Sequence, residues 1–196
     1  MWQQLGMGLR MMLALTFLTG GVYPGMVTGL CQYFFHDQAN GSLIVAQGQV
    51  IGSRLIGQNF KKDEYFQSRP SASGYDAQAS GGANDGPTSQ KLTTRVKGLV
   101  DAFRKANPDF SGPIPADLVT TSFSGLDPHI SPASAQAQVA RIARVRGIPL
   151  IQVQNLIAQH VEGRDLAFLG EPRVNVLMVN LALDNIFTPS NSQCHR

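Results

Sequence analysis

An uninterrupted apolar stretch near the N-terminus constrains this chain more than any other feature. Residues 11–35, MMLALTFLTGGVYPGMVTGLCQYFF, include no charged side chain. As an α-helix they would extend about 37 Å, enough to cross a hydrocarbon core of about 30 Å with some tilt. We therefore predict a membrane-spanning helix at 11–35. A short N-terminal segment (1–10) precedes it, and a water-soluble domain (36–187) and a disordered tail (188–196) follow.

A cleavable signal peptide is the alternative interpretation of this stretch. Such a peptide has a shorter apolar core that ends in a small-residue cleavage site, whereas here the apolar run continues well past Gly20 and Gly21. A retained, single-pass anchor is therefore favoured. Arg10 lies on the N-terminal side, and Asp37 follows on the other. The positive-inside rule then places 1–10 in the cytoplasm and the soluble domain in the periplasm of a bacterial inner membrane.

Three glycines in the apolar stretch recur every fourth residue. Gly21, Gly25 and Gly29 therefore share one helix face, where a neighbouring membrane helix can approach closely. Glycine is also simply common in membrane helices, but three in register favour a helical partner. Pro24 lacks a backbone N–H, so we predict a local kink there.

The rest of the chain predicts a single α+β domain. Short β-favouring runs at 43–45 and 50–56 indicate a hairpin, and the Ser- and Gly-rich segment 67–89 indicates a long loop. Helical spacing and capping residues predict three helices. The first begins after Ser89 and stops at Asn107, and the second begins at Ser131–Pro132 and stops at Gly147. The third begins near Pro149, and its inward face consists of Val153, Leu156, Ile157 and Val161. The apolar segment 174–187 can begin as a strand and continue as a helix, and its periodicity does not decide between the two.

The segment TTSFSGLDPHISP holds the residue types of a hydrolase. Ser122, Ser124, Asp127 and His129 are close in sequence, but the members of a catalytic triad usually come from distant parts of a fold. The G-x-S-x-G elbow of the α/β-hydrolases is also missing. We interpret the segment as a turn and predict no catalytic residue. A membrane-tethered periplasmic hydrolase that uses Ser122 and His129 is the alternative function.

Binding of metal, phosphate or nucleic acid is not indicated by the residue patterns. The glycine loop 80–86 lacks the G-K-[ST] ending of a P-loop, and the four histidines have no ligand spacing. The net charge of +3 is dispersed rather than gathered in a basic stripe, so no nucleic-acid partner is predicted. Arg141, Arg144 and Arg146 are interpreted as cations that suit a helix C-terminus. We therefore predict no metal site and no cofactor of its own; a nucleotide-binding module is a third interpretation.

Four segments closely resemble the KdpC family, the C-type subunits of potassium-transporting ATPases: YFQSRPSASGYD (65–76), ASGGANDGP (79–87), VTTSFSGLDPHISPASA (119–135) and GEPRVNVLMVNLALD (170–184). The resemblance implies an accessory subunit of a high-affinity, ATP-driven potassium uptake complex. It implies as partners a channel-like potassium-binding subunit, a P-type ATPase subunit and a small single-helix subunit, which together handle ATP and potassium. It also implies a role as a catalytic chaperone that raises the affinity of the ATPase subunit for ATP.

We combine the resemblance with the residue patterns to predict how this chain meets its partners and the lipid. The glycine face at Gly21, Gly25 and Gly29 would pack against partner helices. Two loops would rest on the channel-like subunit, one with Arg69, Pro70 and Ser71 and the other with Asp127, Pro128 and His129. Asp85 departs from the usual apolar residue of the family, so a partner contact there would be more polar. A periplasmic domain would not meet cytoplasmic ATP directly.

Overall fold

The computed structural model describes residues 2–46 and 48–187. It separates into two compact units, one that ends at Ser53 and one that begins at Arg54. The tail predicted to be disordered, 188–196, lies outside the described residues.

The first unit begins with one long helix. It consists of α1 (Trp2–Phe17), a π-helical turn (Leu18–Val22) and α2 (Tyr23–Phe34). Within the described part of the chain, Trp2–Phe34 is the one helix long and apolar enough to cross a membrane. It ends within one residue of the prediction. It begins nine residues before the predicted start because nothing in residues 2–10 breaks a helix.

A π-helical turn directly precedes the pair Tyr23–Pro24, and the kink predicted at Pro24 stays a prediction. The Tyr23 N–H donates to the carbonyl of Leu18, five residues back, and Pro24 has no N–H for the next helical bond. A short helix, α3 (His36–Ala39), and an antiparallel hairpin of β1 (Leu43–Ala46) and β2 (Gln49–Ser53) complete the unit. The hairpin prediction is confirmed, but β2 ends at Ser53 rather than at residue 56. The strand ends there because its partner β1 begins at Leu43, which pairs with Ser53.

The second unit mixes helices with a small sheet, which confirms the α+β prediction. Its elements are α4 (Gln90–Ala106), a 3-10 turn (Ala116–Leu118), β3 (His129–Ile130), α5 (Pro132–Arg146), α6 (Leu150–His160), β4 (Val161–Glu162), β5 (Arg173–Asn175) and α7 (Val176–Phe187). The strands form an antiparallel sheet in the order β3-β5-β4. The apolar segment 174–187 indeed changes from strand to helix at Val176.

The predicted helix ends agree with the observed caps. The hydroxyl of Ser89 accepts from Leu92 N–H, the hydroxyl of Ser131 accepts from Ser134 N–H, and Gly147 ends α5 with a φ of +67°. The prediction that Val161 belongs to the inward face of the third helix is wrong. Val161 lies in β4 and pairs with Val174, because the helix ends at His160. The segment between 67 and 89 contains no helix or strand, as predicted.

Two apolar clusters form the core of the second unit. The larger one joins α5, α6, β5 and α7, and its members include Phe66, Val139, Ile142, Val153, Ile157, Val174, Val179 and Leu183. The smaller one packs Phe103 of α4 against Leu118, Val119 and Ala137. Burial of these side chains contributes most of the stability of such a domain, roughly 1.5–3 kcal/mol for each large apolar residue.

The chain at 63–67 crosses this core without pairing as a strand. Side chains satisfy its backbone instead: Asn180 bonds both the N–H and the carbonyl of Phe66, at 2.8 and 3.0 Å, and Gln138 does the same for Gln67, at 2.8 and 3.2 Å. Arg141 donates to the carbonyls of Asp63 and Tyr65 at 2.9 and 3.1 Å. We call these three side chains the amide clamp.

The interpretation of Arg141 as a cation at the helix C-terminus is wrong, because the last turn of α5 holds Arg144 and Arg146 but not Arg141. Its side chain is 1% exposed, and its Nε and Nη2 atoms also donate to Asn107 and Gln138. Arg144, by contrast, lies in the last turn of α5, is half-exposed and pairs with Asp109. Arg141 differs because it faces the backbone at 63–65, which needs donors that no strand supplies.

Candidate functional site at the junction of two loops

The two loops that the sequence singled out lie against each other. The Ser71 hydroxyl donates to the Gly125 carbonyl at 2.6 Å, and Gly81 N–H donates to the Ser124 carbonyl at 2.9 Å. Tyr75 closes its own loop by donating to the carbonyl of Arg69 at 2.5 Å. We call the region formed by residues 69–75 and 121–129 the loop junction.

Glycine permits the close approach of these backbones at two positions. A Cβ on Gly125, whose φ is +69°, would lie 2.7 Å from the Ser73 hydroxyl and 2.8 Å from the Gly81 carbonyl. A Cβ on Gly57 would lie 2.7 Å from the carbonyl oxygen of Asp127. Any larger residue at either position would push the loops apart.

Charged side chains at the edge of the loop junction form one connected network. Arg69 pairs with Asp127 at 3.1 Å, and the His129 ring lies 3.5 Å from Asp127 and 3.8 Å from Glu162. Glu162 in turn pairs with Arg54 at 2.7 Å and with Arg173 at 3.1 Å. Side chains from the start of the second unit, both loops and the sheet therefore depend on one another.

This network holds two carboxylates in their charged form. Burial would raise the pKa of Asp127, but hydrogen bonds from His129 and the charge of Arg69 outweigh it, so the pKa lies below its usual value. Burial likewise opposes ionisation of Glu162, and its hydrogen bonds and ion pairs with Arg54 and Arg173 lower its pKa overall. Both groups therefore remain anionic in mildly acidic solution.

An open cleft of about 570 Å³ lies beside the network. Its lining combines Arg69, Asp127 and His129 with Asp117, Glu171 and Arg173, among other residues. Asp117 is already occupied, because its carboxylate accepts from Ser131 N–H at 2.7 Å and from the Ser131 hydroxyl. A cleft with paired charges of both signs suits a polar protein surface better than one ion.

The structure brings the predicted loop residues together, although several of them also serve the fold. Pro128 is buried and its carbonyl accepts from Val176 N–H at 2.9 Å. Pro70 lines a second cleft, with Tyr75 and Phe103. Their proposed contact with a partner stays a prediction. The glycines at 21, 25 and 29 lie in the other unit, where a Cβ on Gly25 or Gly29 would meet no atom within 4 Å.

The serines near His129 take part in turns. The hydroxyl of Ser122 accepts from Gly125 N–H at 3.0 Å, that of Ser124 accepts from Leu126 N–H, and Asp127 accepts from His129 N–H. Within residues 2–46 and 48–187, no hydrogen bond joins Ser122 to His129. The geometry thus gives the hydrolase alternative no support.

The Asp85 side chain forms ion pairs within the domain. Its side chain is 8% exposed and pairs with Arg95 of α4 at 2.6 Å, with Lys91 at 3.8 Å. The polar residue in the glycine loop therefore anchors that loop to a helix. No three His, Cys, Asp or Glu side chains are grouped to hold a metal ion in the part of the chain that the structure describes.

Sequence reasoning missed Glu162, Arg173 and Arg54, which complete the charge network. Two of them are neighbours across the sheet: Glu162 of β4 faces Arg173 of β5, a position where opposite charges are favoured. These strands have two and three residues, too short for periodicity to reveal.

Comparison with known proteins decides the family. The sequence profile of the K+-transporting ATPase, c chain (KdpC) matches residues 5–185. This chain is a member of the KdpC family. It is 58% identical to the potassium-transporting ATPase KdpC subunit of Koribacter versatilis, over 86% of this chain and 88% of that protein. It is 53% identical to that of Gemmatimonas aurantiaca, over 98% of both chains, and 54% identical to that of Methylococcus capsulatus, over 90% and 94%.

The segments that resemble the KdpC family include much of the loop junction and its surroundings. All four segments on which the resemblance rests fall within the matched range, and three of them contribute residues to the loop junction, the network or the cleft.

Proposed function

We propose that this chain is a non-catalytic accessory subunit of a bacterial, ATP-driven potassium uptake complex. Its partners are a channel-like potassium-binding subunit, a P-type ATPase subunit and a small single-helix subunit. One observation carries the proposal: within a KdpC-family chain, the 33-residue helix Trp2–Phe34 has none of its apolar window buried by the rest of the chain. An apolar surface of this length needs lipid and partner helices to cover it.

The helix would cross the inner membrane with the domain in the periplasm. Arg10 on one flank and Asp37 on the other support this orientation. Because ATP is then on the far side of the membrane, the chaperone role, raising the ATP affinity of the ATPase subunit, would act through contacts between subunits. The loop junction would rest on the channel-like subunit through its half-buried Arg69, Asp127 and His129.

Cysteine labelling tests the orientation. Ala77 is exposed in the long loop, so an A77C variant, with Cys31 and Cys194 replaced by serine, should react with a membrane-impermeant maleimide in intact spheroplasts. Labelling only after lysis would place the domain in the cytoplasm and refute the proposal on orientation. In that case the domain would be on the same side of the membrane as ATP and could bind it directly.

Substitution on the glycine face tests docking of the helix. Leucine at Gly25 would block close approach of a partner helix, so we expect less of the other subunits to co-purify and slower potassium uptake. The matched control is Gly20→Leu, since Gly20 is also in the apolar helix but is not one of the three glycines of the predicted face. Normal co-purification and transport by the Gly25→Leu variant would contradict the docking role.

A further inference from the structure

A turn between β4 and β5 presents apolar side chains to solvent. Asp165 N–H donates to the Leu169 carbonyl at 2.9 Å and Leu169 N–H donates back at 2.8 Å, so residues 166–168 form a closed three-residue loop. Leu166 is 77% exposed, Phe168 70% and Leu169 49%. We call these three side chains the apolar knob. Contiguous exposed apolar residues of this kind mark interaction sites.

The backbone of the knob is strained as well. Leu166 and Ala167 both have left-handed conformations, with φ of +51° and +68°. For residues other than glycine this costs about 1–2 kcal/mol each. Strained backbone together with exposed apolar side chains breaks two rules of stable folding at one place, and such places tend to be functional.

Ion pairs hold the base of the knob on both sides. Arg173 pairs with Asp165 at 3.3 Å, and Arg164 pairs with Glu171 at 2.8 Å. Each arginine therefore has its own carboxylate, and the rim of the knob carries no excess of positive charge. Segments that bind anionic membranes have such an excess. An apolar centre with a polar rim is instead the arrangement found in protein interfaces.

The knob is also continuous with the cleft beside the loop junction. Glu171 and Arg173, which belong to its rim, line that cleft together with Arg69 and Asp127. A partner that covers the cleft therefore meets the knob on the same surface. The closed loop fixes the backbone that carries the exposed phenyl ring, so the backbone loses little freedom on contact.

We propose that the apolar knob inserts into an apolar pocket on the channel-like subunit, the partner on which the loop junction would rest. Phe168 is the central anchor, and Leu166 and Leu169 seal its edges. The inference rests on the proposed function and deepens it, because it names a side chain that binds the partner and the chemistry of the pocket that receives it.

The test uses the full chain, co-expressed with the other subunits and purified in detergent. Phe168→Ala should raise the dissociation constant of this subunit by about 30-fold, as expected for an aromatic anchor. Ile151→Ala is the matched control, since Ile151 is an apolar residue of α6 that is 59% exposed, and it should leave the constant unchanged. Ala167→Gly relieves the backbone strain but keeps the knob, so it should retain binding within about threefold.

Hydrogen exchange separates a protein pocket from lipid. The amides of residues 164–171 should become protected when the complex assembles, and not when the full chain alone is placed in anionic nanodiscs. Protection by nanodiscs alone, or normal binding by Phe168→Ala, would overturn the inference. If Phe168→Ala binds normally while Gly25→Leu does not, the knob is refuted and the proposed function stands; normal binding by both refutes both.

Discussion

Replacing Arg141 by methionine tests whether the amide clamp stabilises the second unit. Methionine keeps most of the apolar stem but removes the donors to the carbonyls of Asp63 and Tyr65 and to the side chains of Asn107 and Gln138. Gln138 still accepts from Gln67 N–H and Asp63 is exposed, so Asn107 and Tyr65 are the two acceptors left without a donor. Asn107 is 3% exposed, so water cannot replace the lost bond there. Two orphaned acceptors cost about 1–3 kcal/mol each, and relief from burying a guanidinium offsets part of this. We expect a net loss of about 2–4 kcal/mol.

Thermal unfolding of the full chain in detergent measures this loss. A change of this size should lower the midpoint by roughly 5–15 °C for a domain of this length. The loss of far-UV circular dichroism on heating reports the unfolding midpoint. Arg144→Met is the matched control, because the exposed pair of Arg144 with Asp109 should contribute less than about 1 kcal/mol. Equal midpoints for the two variants would refute the reasoning.

Two further predictions concern the loop junction. Gly57→Ala should destabilise the second unit by about 1–3 kcal/mol, because the new Cβ would lie 2.7 Å from a backbone carbonyl; Gly86→Ala, where a Cβ meets nothing within 4 Å, should melt like wild type. Asp127 and Glu162 have lowered pKa values, so their contribution to stability is complete above the unfolded values of about 3.9 and 4.3 and is lost as the pH falls through the folded ones. Asp127→Asn should therefore flatten the fall of the unfolding midpoint below about pH 4, and identical pH profiles would contradict this.

Local chemistry explains why much of the fold could be predicted. Ser131 with Pro132 starts a helix, and Gly147 stops it, whatever the rest of the domain does. The apolar run at 11–35 likewise identifies the anchor from composition alone. The third helix shows where this fails: Val161 continues the apolar spacing, but pairing with Val174 in the sheet decides its conformation. Strand pairing is a long-range interaction, which local spacing does not contain.

The candidate site was only partly predictable for the same reason. The loop residues Arg69 and Asp127 stand out because their segments are distinctive, yet the partners that complete the network, Glu162 and Arg173, come from short strands. The role of Arg141 was missed because a cation near a helix C-terminus is already explained by the helix dipole. What decides its burial is the unpaired backbone at 63–65, and that demand becomes visible only when the chain is folded.

In the loops of the second unit, side chains replace the backbone pairing that helices and strands provide. In helices and strands the backbone satisfies itself, so many side chains are acceptable at each position. At the loop junction and at 63–67, side chains satisfy the backbone: Ser71 bonds Gly125, Gln138 bonds Gln67, and Asn180 bonds Phe66. Each such bond needs one side chain of the right length and polarity, and each close approach, as at Gly125, needs glycine. The loop sequences are therefore constrained by the backbone groups that they must satisfy and by the close approaches that they must permit.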